Sequence, residues 1–518
     1  MARLTEFQGK QVLAAAGLSV PRGEVAGTAA AAGAAARRIG GPVVVKGLAW
    51  TTGRAGQGLI AFAADAAGAE QAAAGILGRT VKGFAVSEVL VEERLEIAGE
   101  RFASLFLDDR RRCPVLLISS RGGTGIEEVA REHPGAVAEL ALDAVAPPDL
   151  AALVGSWLGT GVPPAEAAAL AAACVRIWQV ARSIEARATE VNPLVVTRDS
   201  RVMALDCRIT VDDAAVFRHP ELGIDVARDL GHPPTALERI AWEVERDDYR
   251  GTFYFMQMRE GFGRGERVVA FHGAGGGGSM MAMDALQRRG FSVANFCDTS
   301  GNPPASKVYR AARVLLSQPG VDGYFGSGSG VASQEQFHSA RGLVKAFLAE
   351  PLAVPAVIRL GGNGEEKAIE ILTTYTRDLG VPVECYGKDT PVDDCAARLD
   401  ALVAAQHSLA DHRPLSTDHA SPSRPYSFAT PTGSITLDHA VCATCESKVC
   451  VAACVPQILK LDDAGLPVLN VTLEDAAKGR CIECLACEVD CHALGAGGGR
   501  ATLPVAGLDD YRRSRGME

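Results

Sequence analysis

The spacing of hydrophobic residues divides most of the chain into two long segments. Residues 1 to about 225 alternate Ala-rich helical patterns with short runs of Val, Ile and Leu that predict strands. Residues 235–405 repeat a strand, a glycine loop and a helix several times, a pattern that predicts a parallel sheet with helices on both faces. We therefore expect an α/β protein with two large domains.

The rest of the chain has a different character. Residues 406–432 are rich in Ser, Pro, His and Asp and predict a linker. Residues 433–500 carry eight cysteines and predict a small α+β domain, and residues 501–518, with several arginines, are expected to form a solvated tail.

Composition narrows the classes of function. The chain has 518 residues, of which 47% are hydrophobic, and a net charge of −10. This charge provides no basic surface for nucleic acid, and no apolar run reaches the length of a membrane-spanning helix. The cysteines outside residues 433–500 are scattered, which is typical of reduced thiols in the cytoplasm. We expect a cytoplasmic protein without a nucleic-acid partner.

The eight cysteines form two groups of four. The second group has the spacing C-x2-C-x2-C-x3-C, typical of bacterial iron–sulfur proteins in which the fourth cysteine binds the other cluster. The first has the spacing C-x2-C-x4-C-x3-C. The groups are Cys442, Cys445, Cys450 and Cys454, then Cys481, Cys484, Cys487 and Cys491. This pattern favours [4Fe–4S] clusters, with zinc and disulfides as alternatives.

Several polar residues in the first segment suit a nucleotide. Lys46 ends a predicted strand and provides a point charge for phosphates, and Gly53 and Arg54 form a loop beside it. Asn192 and Asp206 lie at the edges of two short predicted strands and offer oxygen ligands for Mg²⁺. Taken singly, Lys46 could be a surface lysine and Asn192, which precedes a proline, part of a turn.

The order of these motifs resembles the ATP-grasp domain of the succinyl-CoA synthetase β subunit, an NDP-forming acyl-CoA synthetase. The matching stretches run from residues 4–21 through residues 42–46 and 119–128 to residues 190–218. The resemblance implies that ATP or GTP binds with Mg²⁺, and it assigns further residues to the nucleotide site. Glu92, Leu95 and Glu100 would line the adenine and ribose, Ala55 would belong to the phosphate loop, and Glu190 would face the phosphoryl group and its histidine acceptor.

The second segment resembles the CoA-ligase domain of the same subunit, which has a flavodoxin-like parallel sheet. Residues 267–271 predict a strand, and the glycine loop that follows leads into a helix, a natural anion site. By resemblance, His272, Ser327, Gly328 and Ser329 would contact substrate or phosphate. His272 replaces the family's asparagine, which implies an acid other than succinate. A phosphoryl-accepting role for His272 is the minor interpretation, and packing of its own turn is the commoner case.

The family's α subunit, with its CoA-binding domain and active histidine, has no counterpart in this chain. The resemblance therefore implies half of a hetero-oligomeric enzyme, a ligase that needs an α-like partner carrying that histidine. With the partner, the reaction would convert a carboxylate, CoA and ATP into acyl-CoA, ADP and phosphate.

Residues 434–491 resemble bacterial ferredoxins, and especially the small FixX-type ferredoxin-like proteins. The resemblance implies two [4Fe–4S] clusters with crossed ligands. One would be bound by Cys442, Cys445, Cys450 and Cys491, and the other by Cys481, Cys484, Cys487 and Cys454. Some relatives of this type carry one cluster.

The fused ferredoxin-like domain implies a redox partner, either an enzyme or an electron carrier. Two other functions stay open at this point. In one, the chain is an ATP-dependent electron-transfer module without CoA chemistry. In the other, the clusters are structural or sense oxygen.

Overall fold

The computed structural model describes residues 2–122, 126–145, 149–158, 162–229, 231–246, 252–328, 335–349, 352–406 and 424–517. Contacts between residues divide the chain into two compact units, residues 1–234 and 235–518. Within the described ranges, no helix is long and apolar enough to cross a membrane.

The first unit is built from antiparallel sheets covered by Ala-rich helices. Its strands are β1 (Ala2–Arg3), β2 (Gly23–Ala26), β3 (Val43–Gly47), β4 (Ile60–Ala63), β5 (Thr80–Val81), β6 (Phe84–Ala85), β7 (Val89–Glu93), β8 (Ile97–Asp108), β9 (Cys113–Ser119), β10 (Val137–Ala141), β11 (Ala186–Thr197), β12 (Val202–Ala204) and β13 (Cys207–Val211). Its helices are α1 (Glu6–Ala15), α2 (Ala29–Ile39), α3 (Ala66–Ile76), α4 (Ile126–Glu132), α5 (Leu150–Leu158) and α6 (Pro164–Ser183).

Two sheets of this unit position the polar residues named above. One has the order β1-β13-β11-β8-β9-β10, with β12 paired to β11, and the other has the order β2-β7-β3-β4. A capping box formed by Thr5 and Gln8 starts α1. Because β3 is buried along its whole length, Lys46 near its end lies inside the protein rather than on the surface.

The second unit contains the predicted parallel sheet. Its strands are β14 (Tyr254–Gln257), β15 (Arg267–Ala274), β16 (Phe291–Val293), β17 (Asn295–Asp298), β18 (Gly323–Gly328), β19 (Ala356–Arg359), β20 (Val383–Tyr386), β21 (Pro425–Ala429), β22 (Ser434–Asp438), β23 (Leu459–Leu461), β24 (Pro467–Leu469) and β25 (Gly499–Thr502). Its helices are α7 (Ala236–Arg246), α8 (Gly276–Arg288), α9 (Ala305–Leu316), α10 (Phe337–Ala349), α11 (Glu365–Tyr375), α12 (Val392–Gln406), α13 (His439–Thr444), α14 (Val449–Ala452), α15 (Leu473–Asp475), α16 (Ala486–Leu494) and α17 (Leu508–Ser514).

The sheet has the order β14-β17-β15-β18-β19-β20, in which all pairs are parallel except β14 with β17. This arrangement, together with the first unit, confirms the α/β fold class expected from the sequence. Buried apolar residues of β15 and β18, including Phe271 and Tyr324, form the centre of the sheet.

The cysteine-bearing region packs against this domain. One hydrophobic core runs from residues of α7, α9 and α10 into β22, α16 and α17. Strands β23 and β24 pair as an antiparallel hairpin in this region. The domain boundaries proposed from the sequence remain a prediction, but the contacts place residues 424–517 and the parallel-sheet domain in one unit.

Two segments differ from their expected character. Residues 425–429 of the expected linker form β21, which pairs with β22; residues 407–423 lie outside the described residues. The expected solvated tail contains part of β25 and all of α17, in which Leu508 and Tyr511 are buried. The expectation of a solvated tail rested on the arginines near the end of the chain. It was wrong because the apolar side chains of α17 pack against the shared core.

Candidate functional site

Lys46 lies at the centre of a buried group of charges in the first unit. Its Nζ atom is 2.8 Å from Glu6 Oε1 of α1 and 2.7 Å from Glu92 Oε2 of β7. Its third contact, at 2.9 Å, is the carbonyl oxygen of Leu205. An ammonium group has three N–H donors. Two of the Lys46 donors form hydrogen bonds, to Glu6 and to the Leu205 carbonyl oxygen, and Glu92 forms an ion pair with the same ammonium.

Arg54 and Asp206 extend the same group. The Arg54 Nη2 atom lies 2.6 Å from Glu6 Oε2 and 2.6 Å from Asp206 Oδ2. Lys10, one helical turn after Glu6, binds both Glu6 and Glu92. Three cations thus face three carboxylates, which balances the charge.

Burial and pairing shift the ionisation of these groups in different directions. Burial alone would lower the pKa of Lys46, but Glu6 and Glu92 raise it above its ordinary value. Burial opposes ionisation of Glu6, yet Lys46, Lys10 and Arg54 hold the pKa of Glu6 well below its usual range. Burial and the nearby Glu6 carboxylate raise the pKa of Asp206, against the effect of Arg54. Lys46 therefore stays a cation and Glu6 an anion at neutral pH.

Asn192 and Asp206 lie together, as the short predicted strands suggested. The backbone N–H of Asn192 donates to the backbone carbonyl oxygen of Asp206 at 3.1 Å. The Asn192 Oδ1 atom is buried and has no hydrogen-bond partner among the described residues. An amide carbonyl oxygen and a carboxylate are both ligands suited to Mg²⁺. Glu190 lies two residues earlier on β11, so its side chain is on the same face of that strand.

The other proposed nucleotide residues are more open. Gly53 and Ala55 are exposed in the loop between β3 and β4, and Gly53 has a φ of 64°, which favours glycine. Leu95 is half-buried between β7 and β8, and Glu100 is exposed on β8. In contrast, Glu92 is almost fully buried and holds Lys10 and Lys46.

Some residues of this group were not found from the sequence. Glu6 and Lys10 looked like ordinary helix residues, although their spacing of four places both on one face of α1. Arg3 and Arg208 also lie near Asp206; burial, and then repulsion from Arg208, lower the pKa of Arg3 to about 10. Arg3 and Arg208 lie on short strands, and no pattern in the sequence marks them as residues of this site.

The buried charges give a testable expectation for stability. Glu6→Gln should lower the free energy of unfolding of the first unit by about 3 kcal/mol, because it leaves buried cations without their partner. Urea unfolding followed by tryptophan fluorescence measures this, since Trp50, Trp157 and Trp178 lie in the first unit.

The matched control is Glu24→Gln, which removes an exposed ion pair with Arg38. Exposed pairs contribute less than about 1 kcal/mol. Equal, small losses in both variants would show that the buried group contributes no more than a surface pair.

A second group of expected site residues meets at the carboxyl edge of the parallel sheet. In the register of β15 with β18, Gly273 is opposite Ser327 and Ala274 opposite Gly328. His272 lies at the same edge, whereas Ser329 lies outside the described residues. A Cβ atom on Gly273 would stand 2.4 Å from the Cys297 carbonyl oxygen, so this end of β15 requires glycine. The structure thus places His272, Ser327 and Gly328 at one edge of the sheet.

His272 is packed inside this edge. Its Nδ1 atom is 2.5 Å from Tyr324 Oη and its Nε2 atom 3.4 Å from Thr299 Oγ1. The side chain is buried, and burial lowers the pKa of His272 to about 4. The imidazole is therefore neutral at physiological pH, and both ring nitrogens have neighbours.

The eight motif cysteines separate into two groups in space. Burial, and then the Cys491, Cys442 and Cys445 thiols, raise the pKa of Cys450 to about 12. Burial, and then the Cys484, Cys481 and Cys454 thiols, raise the pKa of Cys487 well above its ordinary value. Each group takes its fourth member from the other sequence motif.

The positions of these thiols do not by themselves form a metal site. Among the described residues, no group of three or more His, Cys, Asp or Glu side chains could hold a metal ion. Gly499 lies against the Cys487 backbone. A Cβ atom at this position would stand 1.8 Å from the Cys487 carbonyl oxygen, so the close approach requires glycine.

Comparison with known proteins places these two units in context. A family model of the ATP-grasp domain matches residues 3–196. A second, described as ATP citrate lyase citrate-binding, matches residues 263–400. Both matches end before the cysteine motifs.

Curated relatives and a solved structure cover the same region. The chain is 33% identical over 397 residues to the Thermus thermophilus protein named succinate–CoA ligase [GDP-forming] subunit beta, covering 74% of this chain and 95% of that protein. It is 31% identical over 394 residues to the ADP-forming subunit beta of Rubrobacter xylanophilus, covering 75% and 96%. The ATP citrate lyase of Methanothrix soehngenii, solved with citrate and coenzyme A, shares the fold with a TM-score of 0.54 and 19% identity, covering 77% of this chain and 99% of that one. The chain therefore belongs to the family of succinate–CoA ligase β subunits, which are acid–CoA ligases.

Proposed function

We propose that the chain is the β-like subunit of an NDP-forming acid–CoA ligase. With an α-like partner it would convert a carboxylate, CoA and ATP into acyl-CoA, ADP and phosphate, by way of a phosphohistidine on the partner. The observation that carries this proposal is that Lys46 and Arg54 both pair with Glu6, while Arg54 also pairs with Asp206, which accepts a backbone hydrogen bond from Asn192, in a chain of this family.

The residues of the first unit have distinct parts in this proposal. Lys46 and Arg54 neutralise the nucleotide phosphates, so their catalytic contribution is positioning and charge stabilisation. Asn192 Oδ1 and the Asp206 carboxylate would hold Mg²⁺, which offsets phosphate charge when bound. Glu190, on the same face of β11 as Asn192, would face the transferred phosphoryl group. Glu92 acts through Lys46, since its carboxylate is buried against that ammonium.

The acid would bind at the carboxyl edge of the parallel sheet, beside His272 and Ser327. His272 replaces an asparagine of the succinate-specific pattern, and Tyr324 holds its ring. An acid other than succinate follows from this difference. The test mixes the chain with a candidate α subunit, Mg-ATP, CoA and a panel of acids that includes succinate and citrate, and measures loss of free CoA thiol. Loss of thiol without dependence on any acid would count against the ligase.

A nucleotide-binding experiment tests the metal ligands separately. Asp206→Ala should weaken Mg-ATP by about 2 kcal/mol, roughly 30-fold, because a charged metal ligand is lost. Without Mg²⁺, the same variant should bind ATP as well as the unchanged protein or better, since Arg54 is released from Asp206.

Calorimetry with and without Mg²⁺ measures both effects. The control is Asp199→Ala, an exposed carboxylate paired with Arg201. Equal Mg-ATP affinity in all three proteins would remove Asp206 from the site.

We further propose that the cysteine-bearing region binds two [4Fe–4S] clusters and exchanges electrons with a redox partner. The two spatial groups of four thiols support this, because they match the crossed sets that the ferredoxin resemblance implied. The reaction that uses these electrons depends on the identity of the redox partner. A structural or oxygen-sensing role for the clusters is the alternative.

A further inference from the structure

Two helices connect the carboxyl edge of the parallel sheet to the cysteine-bearing region. Helix α9 begins at Ala305, shortly after Thr299, which contacts His272. Helix α10 is the next described helix after β18, whose end carries Ser327 and Gly328. These two helices also make the main polar contacts with residues 424–517.

Helix α10 is fixed to α16 by two ion pairs. Arg341 donates from Nε and Nη2 to the two Asp490 carboxylate oxygens, at 3.2 and 2.5 Å. Its side chain is 1% exposed. One turn later, Lys345 Nζ lies 2.7 Å from Glu488 Oε1. A two-point guanidinium–carboxylate contact is among the strongest polar contacts in proteins, and it fixes orientation as well as distance.

Helix α9 is held by a chain of hydrogen bonds. Arg310 donates to Thr432 Oγ1 and to the Thr432 and Pro504 carbonyl oxygens, at 2.8, 2.7 and 3.0 Å. Thr432 in turn donates from its amide and its hydroxyl to Glu483, at 2.8 and 2.7 Å. Glu483 is almost fully buried, so these contacts are shielded from water.

Each carboxylate in these contacts lies next to a cysteine of the two groups. Glu488 follows Cys487, Asp490 precedes Cys491, and Glu483 precedes Cys484. Helix α16 carries Cys487 of one group and Cys491 of the other, one turn apart. The positions of the three carboxylates therefore depend on how the cysteines are held.

We propose that the clusters control the ligase site by holding α9 and α10 in place. This inference rests on the cluster binding proposed above and adds a regulatory role for it. In the cluster-loaded chain, α16 and the loop at Glu483 are fixed, and the carboxyl edge with His272 and Ser327 is formed. In the cluster-free chain, these supports loosen and the acid site loses its order.

The energetic reason lies in the shortness of α16. A helix of nine residues is marginal without packing or cross-links. When α16 loosens, Arg341 keeps its charge in a buried position without a carboxylate, which is strongly unfavourable. This unfavourable free energy destabilises α10, which carries Arg341. Cluster loss is therefore coupled to disorder at the carboxyl edge of the parallel sheet, and the coupling acts in both directions.

Hydrogen exchange of the full chain tests this proposal. The protein is purified without oxygen, its iron is measured, and amide exchange is followed before and after a chelator removes the clusters. Exchange in residues 305–316 and 335–349 should become about tenfold faster or more on removal. Residues 29–39 and 66–76, in α2 and α3 of the first unit, serve as internal controls and should change less than about twofold.

A variant tests the transmitting contact. Arg341→Met, distant in sequence from every motif cysteine, should keep the iron of the unchanged protein, and cluster removal should then accelerate α10 exchange far less. Glu474→Gln, which removes an exposed pair with Lys478 in the cysteine-bearing region, should behave like the unchanged protein. An equal response to cluster removal in Arg341→Met would overturn the proposal.

The outcomes separate this inference from the proposed function. If iron is present but its removal leaves amide exchange in α9 and α10 unchanged, the proposed clusters are supported and the proposed coupling is wrong. If the protein binds no iron, the coupling falls together with the proposed clusters, while the ligase proposal is untouched.

Discussion

Purified without oxygen, the protein is expected to contain about eight irons per chain, and Cys487→Ala four or fewer. Cys487 belongs to one spatial group of thiols and Cys491 to the other, yet both lie on α16. Loss of Cys487 would remove a ligand of the proposed cluster and loosen the helix that presents Cys491. Iron and sulfide analysis, with electron paramagnetic resonance of the reduced protein, measures the result.

The control for this experiment is Cys395→Ala. Cys395 is buried in α12, outside both motifs, and its loss should leave the iron content unchanged. About four irons in the unmodified protein, with a single non-interacting signal, would show that Cys442, Cys445 and Cys450 do not all bind a cluster. Zinc in place of iron would overturn electron transfer altogether.

Phosphohistidine is expected on an α-like partner and not on this chain. His272 is buried, its Nδ1 atom contacts Tyr324, and its pKa is lowered to about 4 by burial. A phosphoryl group cannot reach a ring in this position without displacing its neighbours. Incubation with labelled Mg-ATP should therefore leave the isolated chain unlabelled, and acyl-CoA should form only after the partner is added.

His272→Asn, which restores the residue usual in the family, separates the two roles of this histidine. With the partner present, the variant should still support phosphorylation of the partner, while its preference among acids should change. Acyl-CoA formation by the chain alone, lost in His272→Asn, would make His272 the phosphoryl acceptor after all.

Features encoded by neighbouring residues could be predicted from the sequence. The capping box at Thr5 needs only three residues of spacing, and the glycine loop after β15 follows a recognisable strand. Asn192 and Asp206 were found through the short strands that bracket them. In each case the signal lies within about 15 residues, where local geometry determines the structure.

Features that depend on distant residues could not. Glu6 meets Lys46 across 40 positions, and Arg341 meets Asp490 across 149. Glu6, Arg341 and Asp490, taken alone, are ordinary charged residues of helices, and such residues are usually exposed. Only the tertiary fold removes them from water and pairs them. The docking of residues 424–517 was missed for the same reason, because the pattern of a short helix such as α17 does not reveal what it packs against.

The burial of Lys46 has a kinetic consequence for the proposed nucleotide site. Its ammonium is surrounded by Glu6, Glu92 and the Leu205 carbonyl oxygen, so a phosphate must displace one of these neighbours to reach it. Nucleotide capture at Lys46 is then a ligand substitution, and the opening of the charge group sets an upper limit on its rate. At high nucleotide concentration the observed association rate should level off instead of rising in proportion, as it does whenever a conformational step precedes capture.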